Sequence, residues 1–410
     1  MKILELPAYF YPERMSSSHL DDQLREAFAQ AGIDMAIYCP TPTRNITAEE
    51  RRKYQKKKEE QMYDGHATVH RFSLFGEGKN PVLRALRYVL SCLMQFNRTV
   101  FAKDARNCNL MFITSTPPIK GAMAGLAKRL NKKPMVYNLQ DIFPDSLVGS
   151  GLAKKSGFLW KVGRRIEDFT YRSADKILVI SEDFKRNIMA KGVPAEKIEV
   201  IYNWVDADAI QPIAKEDNPL FEEFGIDREK FTVVYAGNLG NAQNINIILD
   251  GAQMLPQVQL VVFGTGGLED DIRARIADEH LENVRLLPLQ PYENVSQVYS
   301  LGDACIVACK AGLGGSAMPS KTWSIMSCAR PVIASFDEGE LKQIIENNNC
   351  GVFTHAGNVE EFVEAIKSLE ADPSKCSEMG QNARQFILDN LTKEVGTRKY
   401  IEVIKSFDKK

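Results

Sequence analysis

Two glycine-bearing turns in the second half of the chain have the composition of anion-binding loops. Residues 237–240 (GNLG) follow the apolar run Thr232–Ala236, and residues 264–267 (GTGG) follow the run Val258–Phe263. Glycine lets a ligand approach the backbone closely, and a helix that starts after such a turn presents unpaired N–H groups to an anion. Both turns are therefore predicted to face a phosphate-like group.

A third segment combines a glycine-rich turn, a proline and a lysine. Residues 310–316 (KAGLGGS) lead into Pro319, Ser320 and Lys321, which open an apolar helical pattern. Proline suits the start of a helix, whereas the helix dipole disfavours a cation there, and a bound diphosphate would explain the lysine. The alternative is a plain loop with a solvated lysine; three glycine-bearing strand ends in one half of the chain favour the anion site.

Short apolar runs that alternate with helical segments must position these loops. Strands separated by helices indicate βαβ units and parallel sheets, whose ligands bind beyond the carboxyl ends of the strands. The series restarts near residue 200, which predicts two doubly wound domains, and residues 205–227 are the best candidate for a linker. The predicted strands are Lys2–Leu6, Met35–Tyr38, Thr68–Ser73, Leu110–Thr114, Met135–Leu139, Ile177–Ile180, Val200–Tyr202, Thr232–Ala236, Val258–Phe263, Val284–Leu287, Ala304–Ala308, Pro331–Ala334 and Gly351–Phe353.

The bulk composition excludes several classes of protein. The 410 residues carry a net charge of −1, so no global field attracts nucleic acid. The eight cysteines lack the spacing of a zinc site or a disulfide framework, which fits a reducing compartment. The first residues predict a strand and not a signal peptide, and no apolar run reaches the roughly 18 residues of a membrane span. We therefore expect a cytoplasmic protein.

Several segments resemble family 4 of the glycosyltransferases, which have the GT-B fold. In the second half they are GNLGNAQN (237–244), FGTGG (263–267) and PSKTWSIMSCARPVIAS (319–335). In the first half they are PAYFYPERMSSSH (7–19), NLQDIFPDSL (138–147), SADKILVISEDFKRNI (173–188) and IEVIYNWVDADAI (198–210). The resemblance covers essentially the whole chain and is closest to bacterial surface-polysaccharide enzymes of the WbuB group.

The resemblance implies an α/β architecture of two Rossmann-like doubly wound parallel-sheet domains that face each other across a cleft. Residues 1–205 would bind the acceptor, residues 206–385 the nucleotide-sugar, and residues 386–410 would form a helix that packs back toward the N-terminal domain. Gln243 and Asn238 stand where many members have lysine and arginine. The donor-binding residues that it implies are Arg14, Ser16, Ser17, Gly237, Asn238, Gly240, Gln243, Gly264, Leu289, Gln290, Gly314, Gly315, Ser316, Pro319, Ser320 and Ser324.

The expected catalytic residues are Lys321, Asp141 and His19, with Asp145 on the acceptor side. Lys321 would stabilise the charge of a departing nucleotide diphosphate, and Asp141 would orient the acceptor or relay its proton. The alternative for Asp141 is a structural cap of the following turn. His19 would bind phosphate or acceptor. No metal is predicted, and the DxD string at 206–208 is read as a coincidence.

One departure from the family concerns two glutamates that many members carry eight positions apart. Ser316 and Ser324 stand at the corresponding positions here. The second glutamate usually holds the ribose hydroxyls, so the departure bears on recognition of the nucleotide. We interpret it as variation of a subgroup; a degenerate, inactive enzyme is the alternative.

Two segments suggest contact with a membrane. Residues 82–100 place leucine, valine and methionine on one helical stripe and Arg84, Arg87, Ser91, Gln95 and Arg98 on the opposite one. Residues 154–165 mix lysine and arginine with aromatic side chains. The alternative is an ordinary helix that covers a sheet with its apolar stripe. The charged segment 48–61 is interpreted as a solvated helix or mobile loop.

The predicted function is retaining transfer of a hexosyl or N-acetylhexosaminyl group from a nucleotide diphosphate sugar, with UDP expected, to a lipid-linked or other glycan acceptor. The setting would be capsule, O-antigen or exopolysaccharide synthesis, in the cytoplasm or peripherally on the cytoplasmic face of the plasma membrane. Two alternatives use the same fold: a sugar-nucleotide 2-epimerase and a non-catalytic partner subunit. An epimerase would need acid–base carboxylates where this chain has serines.

Overall fold

The computed structural model describes residues 1–13, 18–78, 80–146 and 157–408. Contacts divide the chain into two compact units, which are Met1–Tyr202 with Gly396–Lys410 and Asn203–Val395. Each unit is built on a largely parallel sheet, which the alternation of apolar runs and helical segments predicts.

The N-terminal unit reverses its strand order at β1. Its strands are β1 (Lys2–Glu5), β2 (Asp34–Pro40), β3 (Glu59–Met62), β4 (Ala67–Phe72), β5 (Leu110–Thr114), β6 (Met135–Leu139), β7 (Lys176–Val179) and β8 (Ile198–Val200). Within the described residues the sheet has eight strands in the order β3-β4-β2-β1-β5-β6-β7-β8. All neighbours are parallel except β3 and β4. The reversal between β1 and β5 creates the type of crevice at which parallel sheets bind ligands.

Helices connect these strands. They are α1 (Ser18–Gln30), α2 (Ala48–Lys56), α3 (Pro81–Phe101), α4 (Lys103–Arg106), α5 (Ile119–Asn131), α6 (Phe158–Ser173) and α7 (Glu182–Ala190). Of the two interpretations of the charged segment 48–61, a solvated helix or a mobile loop, the structure shows the helix. A capping box between Thr47 and Glu50 starts α2, and the end of the segment enters β3 at the edge of the sheet.

The orientation of α3 contradicts the interpretation that its apolar stripe covers the sheet. Arg87, Ser91 and Gln95 from the polar stripe are 1–4% exposed. Val82 is 73% exposed, and Leu83, Leu86, Val89 and Leu93 from the apolar stripe are 40–49% exposed. Periodicity identifies two stripes of a helix but not the stripe that faces the protein. Here Arg87, Ser91 and Gln95 face inward, where Arg87 and Gln95 donate hydrogen bonds.

The C-terminal unit has a smaller sheet that is parallel throughout. Its strands are β9 (Thr232–Asn238), β10 (Gln259–Thr265), β11 (Val284–Leu287), β12 (Ala304–Ala308), β13 (Val332–Phe336) and β14 (Gly351–His355). In the part of the chain that is described, they have the order β11-β10-β9-β12-β13-β14. Every residue of β12 and β13 is buried, as expected of parallel strands that are covered on both faces. The helices of this unit are α8 (Leu220–Glu223), α9 (Asn246–Ala252), α10 (Glu269–Asp278), α11 (Val295–Ser300), α12 (Lys321–Ser327), α13 (Glu340–Asn347), α14 (Val359–Glu370) and α15 (Pro373–Asn390). The last helix, α16 (Lys393–Ser406), begins in this unit and continues into the N-terminal one.

The predicted linker and C-terminal helix differ in detail from the structure. Residues 205–227 belong to the C-terminal unit, where the backbone N–H groups of Gln211 and Ile213 donate to serine hydroxyls. The C-terminal region forms α15 and α16 and not one helix, and the chain rejoins the N-terminal unit at Gly396. There the Tyr400 hydroxyl donates to Asn138 Oδ1 at 3.1 Å.

Candidate active site

Lys321 is the first residue of α12 and the most unusual cation of the C-terminal unit. Its Nζ atom lies 4.0 Å from the centroid of the Tyr235 ring. Within the described residues, no hydrogen-bond acceptor or carboxylate pairs with this ammonium group. Burial disfavours its charged form and lowers the pKa of Lys321 to about 7. A bound anion would reverse that effect by supplying the missing countercharge.

Gly237 provides the space that the Lys321 ammonium group occupies. Its φ is +145°, and a Cβ atom at this position would lie 2.5 Å from Lys321 Nζ. The Tyr235 hydroxyl donates to the carbonyl oxygen of Asn238 at 2.9 Å and so holds the turn after β9. Glycine is therefore required here both for its backbone conformation and for the close approach of the lysine.

Asn238, Gly240 and Gln243 form the rest of this turn. Asn238 Nδ2 donates to Gln243 Oε1 at 3.2 Å. A Cβ atom at Gly240 would lie 2.6 Å from Asn238 Nδ2, so a larger residue would push the amide aside. The neutral side chains of Asn238 and Gln243 thus occupy positions where many members of the resembled family have cations. The positive charge beside β9 comes instead from Lys321.

An aspartate that the sequence analysis missed organises the loop before α12. Asp337 accepts hydrogen bonds from the backbone N–H groups of Gly312 at 3.0 Å and Gly314 at 2.7 Å. The N–H group of Gly314 already donates to Asp337 and is not available to a ligand. Gly315 lies beside open space, since a Cβ atom there would meet no atom within 4 Å. Its position directly after β13, at the carboxyl end of a parallel strand, could have marked Asp337 as a candidate. It was missed because it lies outside the glycine-bearing segments on which the sequence analysis relied. Tyr235 was also missed, since a buried aromatic residue inside a strand reads as core.

The glycines of the loop after β10 lie against the loop after β9, and their part in anion binding stays a prediction. A Cβ atom at Gly264 would lie 2.6 Å from the Gly237 carbonyl oxygen, and one at Gly266 would collide with the Leu239 backbone. These glycines therefore allow two loops to pack closely. The first turn of α10 then carries Glu269, Asp270 and Asp271, which suit the positive end of the helix dipole and repel a phosphate.

An apolar cavity lies directly beside Gly237. Its volume is about 110 Å³, and it includes the predicted residues Leu289 and Gln290. The Gln290 side chain is held within its own loop, because Nε2 donates to the Pro288 carbonyl and Oε1 accepts from Asn294, both at 3.3 Å. The full lining is Ala236, Gly237, Phe263, Leu289, Gln290, Pro291, Val295, Val298 and Tyr299. A planar apolar group in this cavity could extend an attached anion past Gly237 toward Lys321.

The predicted proline and serines lie around the start of α12. Pro319 is half-buried and Ser320 is exposed immediately before Lys321. Ser324 is half-buried three residues after Lys321, which places both on one side of the helix. Ser316 ends the short 3-10 turn that begins at Gly314. The structure thus gathers these residues at one end of the C-terminal unit, and their roles stay predictions.

The residues predicted in the N-terminal unit are more dispersed. His19 lies in the first turn of α1, and Arg14, Ser16 and Ser17 lie outside the described residues. Asp141 follows β6 near Ser146; its side chain reaches solvent, but the surrounding protein still removes hydration and raises its pKa. Asp145 instead pairs with Lys191 at 2.7 Å, and its pKa is lowered despite partial burial, chiefly by this hydrogen bond. Its contacts are therefore those of a structural ion pair.

Nothing in the described ranges contradicts the expected absence of a metal, and that expectation stays untested. No group of three or more histidine, cysteine, aspartate or glutamate residues is arranged there to hold an ion. Asp206 of the DxD string accepts from the Ala209 N–H group and from Lys393 Nζ, at 3.1 and 3.2 Å. These contacts anchor the turn at the start of the C-terminal unit.

Comparisons with known proteins agree on the class of enzyme. Residues 22–204 match a family model described as a glycosyl transferase 4-like domain, and residues 216–386 match one described as glycosyl transferases group 1. The chain is 25% identical over 415 residues to the putative colanic acid biosynthesis glycosyl transferase WcaI from Escherichia coli (strain K12), covering 99% of this chain and 100% of that protein.

Two further relatives match less of the chain. The probable glycosyltransferase WbjE from Pseudomonas aeruginosa is 26% identical over 53% of this chain and 54% of its own length, about half of that protein. The N-acetylgalactosamine-N,N'-diacetylbacillosaminyl-diphospho-undecaprenol 4-alpha-N-acetylgalactosaminyltransferase from Campylobacter jejuni subsp. jejuni serotype O:2 is 21% identical over 74% of this chain and 77% of its own length.

The crystal structure of HepE from Anabaena in complex with UDP superposes with a TM-score of 0.74 at 18% identity, over 99% of this chain and 100% of that one. At this identity the likeness shows the fold alone, and it confirms the predicted GT-B class of two parallel-sheet α/β domains. The chain belongs to family 4 of the glycosyltransferases, with the GT-B fold, and is a glycosyltransferase.

Proposed function

We propose that this enzyme transfers a sugar from a UDP-sugar to a lipid-linked glycan acceptor during the synthesis of a bacterial surface polysaccharide, with retention of anomeric configuration. The observation that carries the donor site is the half-buried Lys321, which lacks a countercharge among the described residues and adjoins both Gly237 and an apolar cavity. The base would enter the cavity beside Leu289 and Gln290. The diphosphate would then reach Lys321.

The relatives support this choice of substrates by their names. WcaI is named for colanic acid biosynthesis, and the Campylobacter jejuni relative is named for an acceptor on diphospho-undecaprenol. HepE was crystallised with UDP and also with UDP-glucose. These names motivate a UDP-sugar and a lipid-linked acceptor for this chain, on the cytoplasmic face of the plasma membrane.

The chemistry follows from the charge that develops on the leaving group. The bond between the sugar C1 and the β-phosphate oxygen breaks, its electron pair leaves with the phosphate, and the acceptor oxygen bonds to C1 on the same face. The acceptor proton passes to the departing phosphate, so no protein nucleophile is needed. Lys321 becomes fully protonated as the diphosphate binds and stabilises the charge that UDP carries away.

The N-terminal unit would bind and orient the acceptor. Asp141 is the proposed orienting group, because its carboxyl can hold the acceptor hydroxyl by a hydrogen bond while the proton of that hydroxyl passes to the phosphate. His19 would contact phosphate or acceptor, and Arg14, Ser16 and Ser17 would close over the donor phosphates, as the family resemblance implies. No metal ion is proposed for this reaction.

A transfer assay tests the proposal. Radiolabelled UDP-glucose, UDP-galactose, UDP-N-acetylglucosamine and UDP-N-acetylgalactosamine are each incubated with the enzyme and a lipid extract of bacterial membranes, and label in the lipid fraction is counted with released UDP. One donor should label the lipid and release UDP in equal amount. The proton NMR coupling of the new anomeric proton should match that of the donor.

Lys367→Ala serves as the matched control for Lys321→Ala, since Lys367 is an exposed lysine on α14 of the same unit. The control should transfer at the wild-type rate and Lys321→Ala should not. Equal activity of the two variants would refute the donor site. An inverted product would refute retention alone, and epimerised donor without transfer would refute the proposed reaction.

A further inference from the structure

Exposed apolar side chains are concentrated on three helices of the N-terminal unit. Among the described residues, eighteen large apolar or aromatic side chains are exposed, and eleven of them lie on α3, α5 and α6. They are Val82, Leu83, Leu86, Val89, Leu93 and Phe101 on α3, Leu126 and Leu130 on α5, and Phe158, Leu159 and Val162 on α6. Single exposed apolar residues are ordinary, whereas a group of this size marks an interaction surface.

These three helices form one layer. The connections from β4 through α3 to β5, from β5 through α5 to β6, and from β6 through α6 to β7 all proceed in the same direction along the sheet. Right-handed crossovers place such helices on one side of a sheet. In agreement, α3 packs against α5 and α5 packs against α6. We call the outward side of this layer the three-helix face.

The inward side of α3 makes polar contacts with the rest of the N-terminal unit. Gln95 Nε2 donates to the carbonyl oxygens of Pro7 at 3.0 Å and Tyr38 at 2.9 Å. Arg87 Nη2 donates to Thr43 Oγ1 at 3.0 Å. Buried polar groups contribute little net stability even when they are paired, so folding alone does not explain a helix that buries them and exposes leucines. An apolar environment outside the protein does explain it.

The charge of the three-helix face points to the chemistry of that environment. The three helices contain two acidic residues, Glu167 and Asp168 of α6; Glu167 is buried and Asp168 is half-buried. Arg98, Arg129, Lys161 and Arg165 are exposed on the three helices. A surface that is apolar and cationic complements the acyl chains and headgroups of anionic lipids. A second copy of the chain fits less well, because a twofold interface would oppose cations to cations.

We propose that the three-helix face binds the surface of an anionic phospholipid bilayer. In the described ranges, no helix is long and apolar enough to cross a membrane. The inference rests on the proposed function in one respect, namely that a membrane face is where a lipid-linked acceptor would be found. Bilayer binding itself requires neither the donor nor the acceptor, and the two proposals can therefore fail separately.

Vesicle flotation tests the inference. The full chain is mixed with vesicles of phosphatidylglycerol and phosphatidylcholine, or of phosphatidylcholine alone, and the protein that floats is measured. We expect the wild type to float with the anionic vesicles. Leu86→Ser with Leu93→Ser should lower the partition coefficient by about tenfold or more, because two half-exposed leucines no longer enter the acyl region. Lys161→Gln with Arg165→Gln should lower it only for anionic vesicles.

The matched control is Met254→Ser with Leu388→Ser, which removes two apolar side chains of similar exposure, 47% and 42%, from the other unit. This control should float as the wild type does. Stabilisation by UDP verifies that each variant is folded and tests the donor site independently of lipid. Failure of the wild type to float, or equal loss of flotation in the control, would overturn the inference. So would a wild-type dimer, detected by light scattering, that the α3 variant converts to a monomer.

Discussion

Two lysines, the buried Lys120 and the half-buried Lys321, occupy similar places in the two units but have different surroundings. Lys120 is the second residue of α5, directly after the loop that leaves β5, and Lys321 is the first residue of α12. Burial lowers the pKa of both, to about 8 for Lys120 and about 7 for Lys321. Lys120 donates to the Thr116 carbonyl and lies near the charges of Asp21 and Glu5.

Lys321 lacks equivalent contacts within the described residues and faces the Tyr235 ring and Gly237. The difference teaches that a lysine at the start of a helix is not by itself a phosphate site. Lys120 donates to its own loop and supports the fold. Lys321 donates to no acceptor within the described residues, and a bound anion would supply the countercharge that its partial burial favours.

The largest expected effect separates the two lysines directly. Lys321→Ala should lower kcat/KM for the donor by about 10²–10³, as expected when a group that stabilises leaving charge is removed. Lys120→Met should change kcat/KM by less than about threefold while altering the melting temperature, since its contacts are internal. Initial rates of UDP release, measured below both melting temperatures, decide this. A larger fall in kcat/KM for Lys120→Met than for Lys321→Ala would contradict the assignment of Lys321 to the donor site and of Lys120 to the fold.

The second effect is the pH dependence of UDP affinity. Above pH 7 most of Lys321 is neutral in the free protein, so diphosphate binding must take up a proton. The affinity should therefore fall as pH rises from about 7.5 to about 9, by up to about tenfold per pH unit. The terminal phosphate of UDP is already doubly ionised between about pH 7.5 and 9, since the second pKa of a phosphate group is about 6. Calorimetry should show this slope in the wild type and not in Lys321→Met; an unchanged slope in the variant would show that another group is responsible.

The third effect tests the space beside Lys321. Gly237→Ala places a methyl group on the ammonium position at a φ of +145° and should weaken UDP binding by about tenfold. Gly267→Ala is the matched control, since its Cβ atom would meet nothing within 4 Å. Its UDP affinity should stay within about twofold of the wild type. A comparable loss of UDP affinity in both variants would show that the loop after β10 also contributes to diphosphate binding.

The smallest effect concerns Asp337. Asp337→Ala removes the acceptor for the N–H groups of Gly312 and Gly314 and frees their loop. We expect about a threefold to tenfold rise in KM for the donor, in line with the loss of charge-assisted hydrogen bonds that hold a loop and not a ligand. Steady-state kinetics measures it. A fall in kcat as large as that of Lys321→Ala would place Asp337 in the chemistry itself.

The sequence predicted the two-sheet architecture because buried parallel strands are short apolar runs separated by helices. It also selected Lys321 and Gly237, whose residue types are unusual for their places. It could not separate the packing glycines Gly264 and Gly266 from those of the Lys321 loop, because both sets follow strands. The role of Asp337 depends on a contact across 23 residues that no local pattern records. The sequence could not show that the polar stripe of α3 faces inward, because its hydrogen-bond acceptors, such as the carbonyl oxygens of Pro7 and Tyr38, are distant in sequence.

The most direct test of the central claim is the thermal stability of the protein with UDP, GDP, ADP and CMP, for the wild type, Lys321→Ala and Lys367→Ala. A ligand at 100 times its dissociation constant stabilises by about 2.7 kcal/mol, which a melting experiment resolves. The account predicts that UDP selectively stabilises the wild type and Lys367→Ala and stabilises Lys321→Ala much less at the same concentration. No stabilisation by UDP, or equal stabilisation of all three proteins, would contradict it.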